Sequence, residues 1–198
     1  DKPFAYDIKD AQEIVKLSEK YNAPVYSASM LSETPQASYF KDRLQEIGQP
    51  EFGTIKGGGV LMSGQIHAIN FALKVFGGGV KYVECMGHKA SGHIHLDYDG
   101  QADRPKEGVV INCASGGSPH CAMYASAYSE KGAIHSNPID DFAFPCGAYN
   151  ILKKVKKMTD TKKLVDSYEN MIEGVVIATA TRIAQKERRR VAICEVLK

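Results

Sequence analysis

The chain opens Asp1-Lys2-Pro3-Phe4-Ala5 and passes at once into Asp7 to Lys20, where Ile8, Ala11, Ile14, Val15 and Leu17 recur near helical spacing. Asp7 is suited to cap this helix, and Asn22-Ala23-Pro24 to stop it. Val25 to Met30 is a short run of apolar and small residues after a turn signal, the composition of a strand buried between helices. Residues 1 to 30 therefore read as the end of a βαβ unit. Such a unit belongs to a parallel sheet of several more strands, and the sequence before it has no room for them. The absence of an initiator Met and the immediate helical pattern are those of a chain cut from something longer.

Further along, Thr34-Pro35 starts a second helix that glycine ends at Gly48. Glu51 to Lys56 reads as a strand running into Gly57-Gly58-Gly59, and Ser63 to Phe76 as a helix closed by Gly77 to Gly79. Five strand-like runs follow: Val80 to Met86, His93 to Asp97, Gly108 to Cys113, Cys121 to Tyr128 and Gly132 to Ser136. The turns Asp99-Gly100, Ser115-Gly116-Gly117 and Glu130-Lys131-Gly132 suggest a mainly antiparallel meander. Pro145 to Met158 and Thr161 to Gln185 read as helices, and Arg190 to Val196 as a last strand. The expected architecture is α+β, an open sheet with helices on one face.

With 198 residues, 43% of them hydrophobic and 24% charged, the chain can bury a core without disulfides or metal. No apolar run approaches the roughly 20 residues of a membrane span. The cysteines Cys85, Cys113, Cys121, Cys146 and Cys194 are odd in number and form no CxxC pair, so they read as reduced. Lys153-Lys154, Lys156-Lys157 and Arg188-Arg189-Arg190 lack interleaved aromatic residues, and with a net charge of +2 they read as solvated surface rather than a nucleic-acid site.

Two pieces can carry chemistry. A lysine at the carboxyl end of a parallel strand lies where open α/β sheets bind ligands, which would aim Lys2 at a crevice, with Pro3 fixing the local backbone. A Lys-Pro pair also marks ordinary turns. In Gly57-Gly58-Gly59-Val60-Leu61-Met62-Ser63-Gly64-Gln65-Ile66-His67 a glycine cluster leads into a helix, and His67 shares a helical face with Ser63 four residues before it. Histidine has the pKa for proton transfer near neutral pH, although one in an amphipathic helix is more often a boundary residue. His93, His95 and Asp97 would share one strand face and could bind metal, with His88 nearby; alternating polar residues on a sheet face are the plainer reading, and no metal is expected. Cys113, His120 and Cys121 fit no zinc spacing.

Together these pieces resemble the Gfo/Idh/MocA family of nicotinamide-dependent oxidoreductases, the glucose-fructose oxidoreductase and inositol dehydrogenase group, along the whole chain. In that family an acidic residue-Lys-Pro tripeptide ends a strand of a Rossmann domain, matched by Asp1-Lys2-Pro3, and the last Rossmann helix and strand match Tyr6 to Met30. A Gly-Gly segment leading to an Asp-x-x-x-His pair is matched by Gly58-Gly59 and His67. Ser63 stands where many members have the Asp, so a carboxylate that would orient the histidine or contact substrate is absent. No G-x-G-x-x-G fingerprint occurs in the sequence.

The resemblance implies a Rossmann remnant over 1–32 and an α+β substrate-binding and oligomerisation domain over 33–198. It implies hydride transfer between NAD or NADP, held mainly by residues upstream, and a sugar or cyclitol. His67 would act as general base. Lys2 would position the hydroxyl and, with Pro3, touch the cofactor. Ser63 and Gln65 would hydrogen-bond substrate. Some relatives use the hydride step transiently, for elimination or glycoside hydrolysis. The alternative is a non-catalytic binding or dimerisation module. A homodimer or homotetramer through the open sheet and a cytoplasmic location complete the expectation, with the fragment alone inactive.

Overall fold

The computed structural model describes residues 2–57, 62–87, 92–113 and 123–197, and of Met62, Ser63 and Asp141 the backbone only. Helix α1, Ile8–Lys20, starts at Asp7, whose carboxylate accepts from the Asp10 amide at 2.9 Å. Helix α2, Pro35–Ile47, starts at Thr34 with Pro at its first position, and ends at Gly48 with φ of 70°. Both helices thus use the caps their sequences offer. A 3₁₀ turn at Leu31–Glu33 joins them.

Seven strands form one sheet: β1 Phe52–Lys56, β2 Tyr82–Met86, β3 His93–Asp97, β4 Val109–Asn112, β5 Tyr124–Ser129, β6 Gly132–His135 and β7 Val191–Ala192. Their order is β6-β5-β1-β4-β3-β2-β7, and all neighbours are antiparallel except β1 and β4. The sheet is open and mainly antiparallel, as expected. It is not a simple meander, because β1 lies between β4 and β5; the turn read at Ser115-Gly116-Gly117 lies outside the described residues, as do Gly58-Gly59, His88, His120 and Cys121.

Helix α3, Met62–Phe76, packs on β1 and β4, α2 on β5 and β6, and the long helix α5, Tyr168–Glu187, on β2 and α3. The residues facing them, among them Ile55, Val83, Ile94, Leu96, Ile111 and Ala125, are buried. Gly57 lets α3 approach, since a Cβ there would stand 2.6 Å from the Ala68 Cβ. Across from each other on the opposite face lie His135, Ser126, Thr54, Val110, His95 and Glu84. Exposed Met86, Tyr124 and Tyr128 share this face.

Three expectations need correction. Val25 to Met30 is not a strand: none of the seven strands pairs with it, and its amides turn to side chains of α5, Val25 N donating to Tyr168 Oη at 3.3 Å and Ser27 N to Met171 Sδ at 3.3 Å. The helix expected from Thr161 starts at Tyr168, because α4, Phe144–Thr161, runs on to that residue and Ser167 supplies the next cap. The last strand is two residues long; after Ala192 the chain turns into the short helix α6, Ile193–Val196, with the Glu195 carboxylate accepting from Ala192 N at 2.9 Å. No described helix is long and apolar enough to cross a membrane.

Candidate functional site

Residues 63, 67, 70 and 74 fall on one stripe of α3, at i, i+4, i+7 and i+11. At the centre of that stripe the His67 Nδ1 lies 2.6 Å from the Ser29 hydroxyl. Ser29 is wholly buried and also accepts from the Leu31 amide at 3.2 Å. The histidine expected from the sequence is thus attached to the segment that follows α1.

Next to this contact is a cleft of about 320 Å³, walled by Phe4, Ser27, Ser29, Glu33, Asn70 and Lys74, with Asp166 and Glu173 from the far side. Its lining is polar and carries both signs of charge, the chemistry suited to a hydroxylated ligand rather than an apolar one. Glu173 is already engaged, accepting from Gly79 N at 2.6 Å and Val80 N at 3.0 Å. Lys2 and Pro3, joined by a cis peptide bond, stand two residues and one residue before Phe4; Lys2 is half-buried, and burial lowers its pKa from the ordinary lysine value. Neither Lys2 nor His67 is in the cleft wall, but Phe4, two residues after the first, and Ile66, next to the second, are. Gln65 is buried, at 7% exposure, and the Ser63 side chain is outside the description.

A second polar group braces the cleft floor. Glu33 takes the Lys154 ammonium at 2.8 Å and the Tyr26 hydroxyl at 3.2 Å, and its backbone oxygen accepts from Asn150 Nδ2 at 2.9 Å. Burial, then the Glu33 and Asp166 carboxylates, push the Tyr26 phenol well above its ordinary pKa, so it stays a neutral donor. Ser29, Tyr26 and Glu33 were not singled out in the sequence. Each is a common surface residue type in a stretch read as strand and turn, and only the partners, 38 and more than 100 residues away, give them meaning.

His93, His95 and Asp97 do share one sheet face, but His95 Nε2 bonds the Glu107 carbonyl at 2.9 Å, and Asp97 pairs with Arg190, which also stacks on Tyr82. Among the described residues no group of three or more His, Cys, Asp and Glu side chains could hold a metal ion. Cys113 is buried and free, and burial followed by the nearby Cys85 pushes its thiol up to about 12.

No protein-family model and no curated protein sequence matches the chain. Solved structures do. A probable dehydrogenase from Thermotoga maritima is 16% identical with a TM-score of 0.83, over 98% of this chain and 72% of that one. Scyllo-inositol dehydrogenase from Lactobacillus casei, with bound NAD(H) and scyllo-inositol, is 12% identical with a TM-score of 0.73, over 98% and 72%. An oxidoreductase from Agrobacterium radiobacter, in complex with NAD+, L-tartaric acid and magnesium, is 15% identical with a TM-score of 0.72, over 98% and 72%. The chain has the fold of the Gfo/Idh/MocA-type inositol dehydrogenases and oxidoreductases.

Proposed function

We propose that this chain is the C-terminal, substrate-facing part of a nicotinamide-dependent oxidoreductase acting on a sugar or cyclitol, with residues 1–32 belonging to the nucleotide-binding domain and 33–198 to the substrate domain. The observation that carries the reading is the bond from Ser29 to His67 beside a polar cleft, in a fold whose solved members include one holding NAD(H) and scyllo-inositol. It ties a titratable group of α3 to the segment between α1 and α2 beside that cleft, which supports reading His67 as a site residue.

The chain itself offers little to a dinucleotide: its sequence has no G-x-G-x-x-G, and none of residues 2–32 is in a described strand. Its contacts there are confined to Lys2 and Pro3. When bound to the intact protein, NAD or NADP supplies the hydride acceptor. The residues of this chain do the rest. His67 takes the proton of the substrate hydroxyl, and Lys2, half-buried, holds the oxygen and stabilises the negative charge growing on it. Ser63 and Gln65 contribute hydrogen bonds to the substrate. The same steps, run transiently, serve elimination or glycoside hydrolysis.

Replacing His67 by Ala in the protein with its complete nucleotide-binding domain is expected to lower kcat on the best of a panel of sugars and cyclitols by about 10²–10⁴. Unchanged turnover would remove His67 as the base. Calorimetry should find NAD or NADP bound by the extended protein and not by this chain alone; binding by neither favours the non-catalytic module that the missing carboxylate at Ser63 suggests. The open sheet face, with exposed Met86, Tyr124 and Tyr128, is proposed as the contact of a homodimer or homotetramer. Tyr124→Asp should lower the mass seen in sedimentation, and an unaltered mass would argue against that face.

A further inference from the structure

The partners of the Ser29 hydroxyl decide which nitrogen of His67 carries the proton. An amide N–H can only donate, so Leu31 N occupies one lone pair of Ser29 Oγ, at 3.2 Å. The other contact of the hydroxyl is His67 Nδ1 at 2.6 Å. Ser29 is 0% exposed, and its carbonyl is engaged separately by the Ser32 hydroxyl at 2.9 Å. Among the described residues the hydroxyl hydrogen therefore has a single acceptor, the Nδ1 lone pair. Were Nδ1 protonated, it would become the donor in that short contact and the Ser29 hydrogen would be left buried with nothing to accept it, which folded proteins avoid.

We infer that Ser29 is a positioning residue that holds neutral His67 as the tautomer with its proton on Nε2. The inference rests on the reading of His67 as the acid–base residue and deepens it. Nδ1 is thereby committed to Ser29, and the proton of the neutral ring stands on Nε2. Before His67 can take a hydroxyl proton at Nε2, its own proton must pass to Nδ1, and Ser29 Oγ must change from donor to acceptor. A carboxylate on the ring, such as the one missing at position 63, acts in the opposite sense: it can only accept, and would favour Nδ1–H.

The test is long-range proton–nitrogen correlation NMR on the chain labelled with ¹⁵N-histidine, in alkaline buffer where imidazole is neutral, with the His67 signals assigned by their loss in His67→Gln. A pyridine-type Nδ1 and a pyrrole-type Nε2 are expected; the reverse pattern overturns the inference. In Ser29→Ala the Nδ1 resonance should move as its hydrogen bond is lost, and an Nδ1 shift identical to that of the parent also overturns it. Ser29→Asp should exchange the two nitrogen types. If that buried carboxylate prevents folding, the parent and Ser29→Ala still decide. Absence of dinucleotide binding or turnover in the extended protein would instead sink the oxidoreductase reading and leave the tautomer assignment intact.

Discussion

The sheet and the segment 2–33 are held by different means. In the sheet every strand is paired through its backbone, and five of the seven are paired on both sides. The segment has one helix packed on α5 through Ile8, Val175 and Val176, and its extended part is tied by individual side chains: Tyr168 to Val25 and Ser18, Met171 to Ser27, Lys154 to Glu33. A ladder spreads loss over many bonds, whereas a side-chain tie fails when one atom is removed. Single substitutions at the ties should therefore be felt more than surface changes on the sheet, and would alter the setting of Ser29 and His67 before they alter the fold.

The largest effect is expected from Gly147→Ala. A Cβ there would stand 2.0 Å from the Met30 carbonyl oxygen, so α4 or the 3₁₀ turn must move, at a cost of about 2–3 kcal/mol. Urea unfolding should show a lower midpoint, and an unchanged one would mean that the turn yields freely. Lys154→Met leaves the Glu33 carboxylate, with 10% of its side chain exposed, without its cation, and about 1–2 kcal/mol should be lost because Lys154 is itself partly solvated. Tyr168→Phe deprives Ser18 and Val25 N of a partner, for about 1 kcal/mol, with earlier proteolysis in the 21–30 stretch as the local sign. Arg43→Ala breaks the surface pair with Glu46, a 3.3 Å bond to the His135 carbonyl and a contact over the Tyr39 ring, and should lower the urea midpoint least of the four. In all four variants Cys113 should resist alkylation at pH 8, since its thiol titrates near 12, while exposed Cys146 and Cys194 react. Early labelling of Cys113 would place the damage in the sheet.

The same division separates what could be read in the sequence from what could not. Helices α1, α2 and α3 were legible because their caps are local: Asp7, Thr34-Pro35 and the glycines at 48 and 77 act within a few residues. Strands β2 to β6 were legible from alternation and turn chemistry. The place of β1 was not, since a strand's neighbours are settled by pairing across the whole sheet and not by its own five residues. Val25 to Met30 has the composition of a buried strand and lacks a ladder among the described residues, so composition misled. His67 could be found by its glycine-led helix; Ser29, which sets its proton, could not, because a serine in an apolar run carries no signal until the histidine is seen above it.

The central position of β1 has a consequence for how the chain is made. Its partners β4 and β5 are far ahead of it in sequence, so the middle of the sheet is a long-range contact and its closure an intrinsically slow step. On a ribosome adding roughly 5–20 residues per second, β5 is finished about seventy residues after β1, a delay of roughly 4–15 s. The antiparallel pair of β2 and β3 can form in that interval, while β1 waits for β4 on one edge and for β5 on the other. Association between nascent chains should therefore begin at Phe52–Lys56, and slower translation of residues 57–129 should increase it.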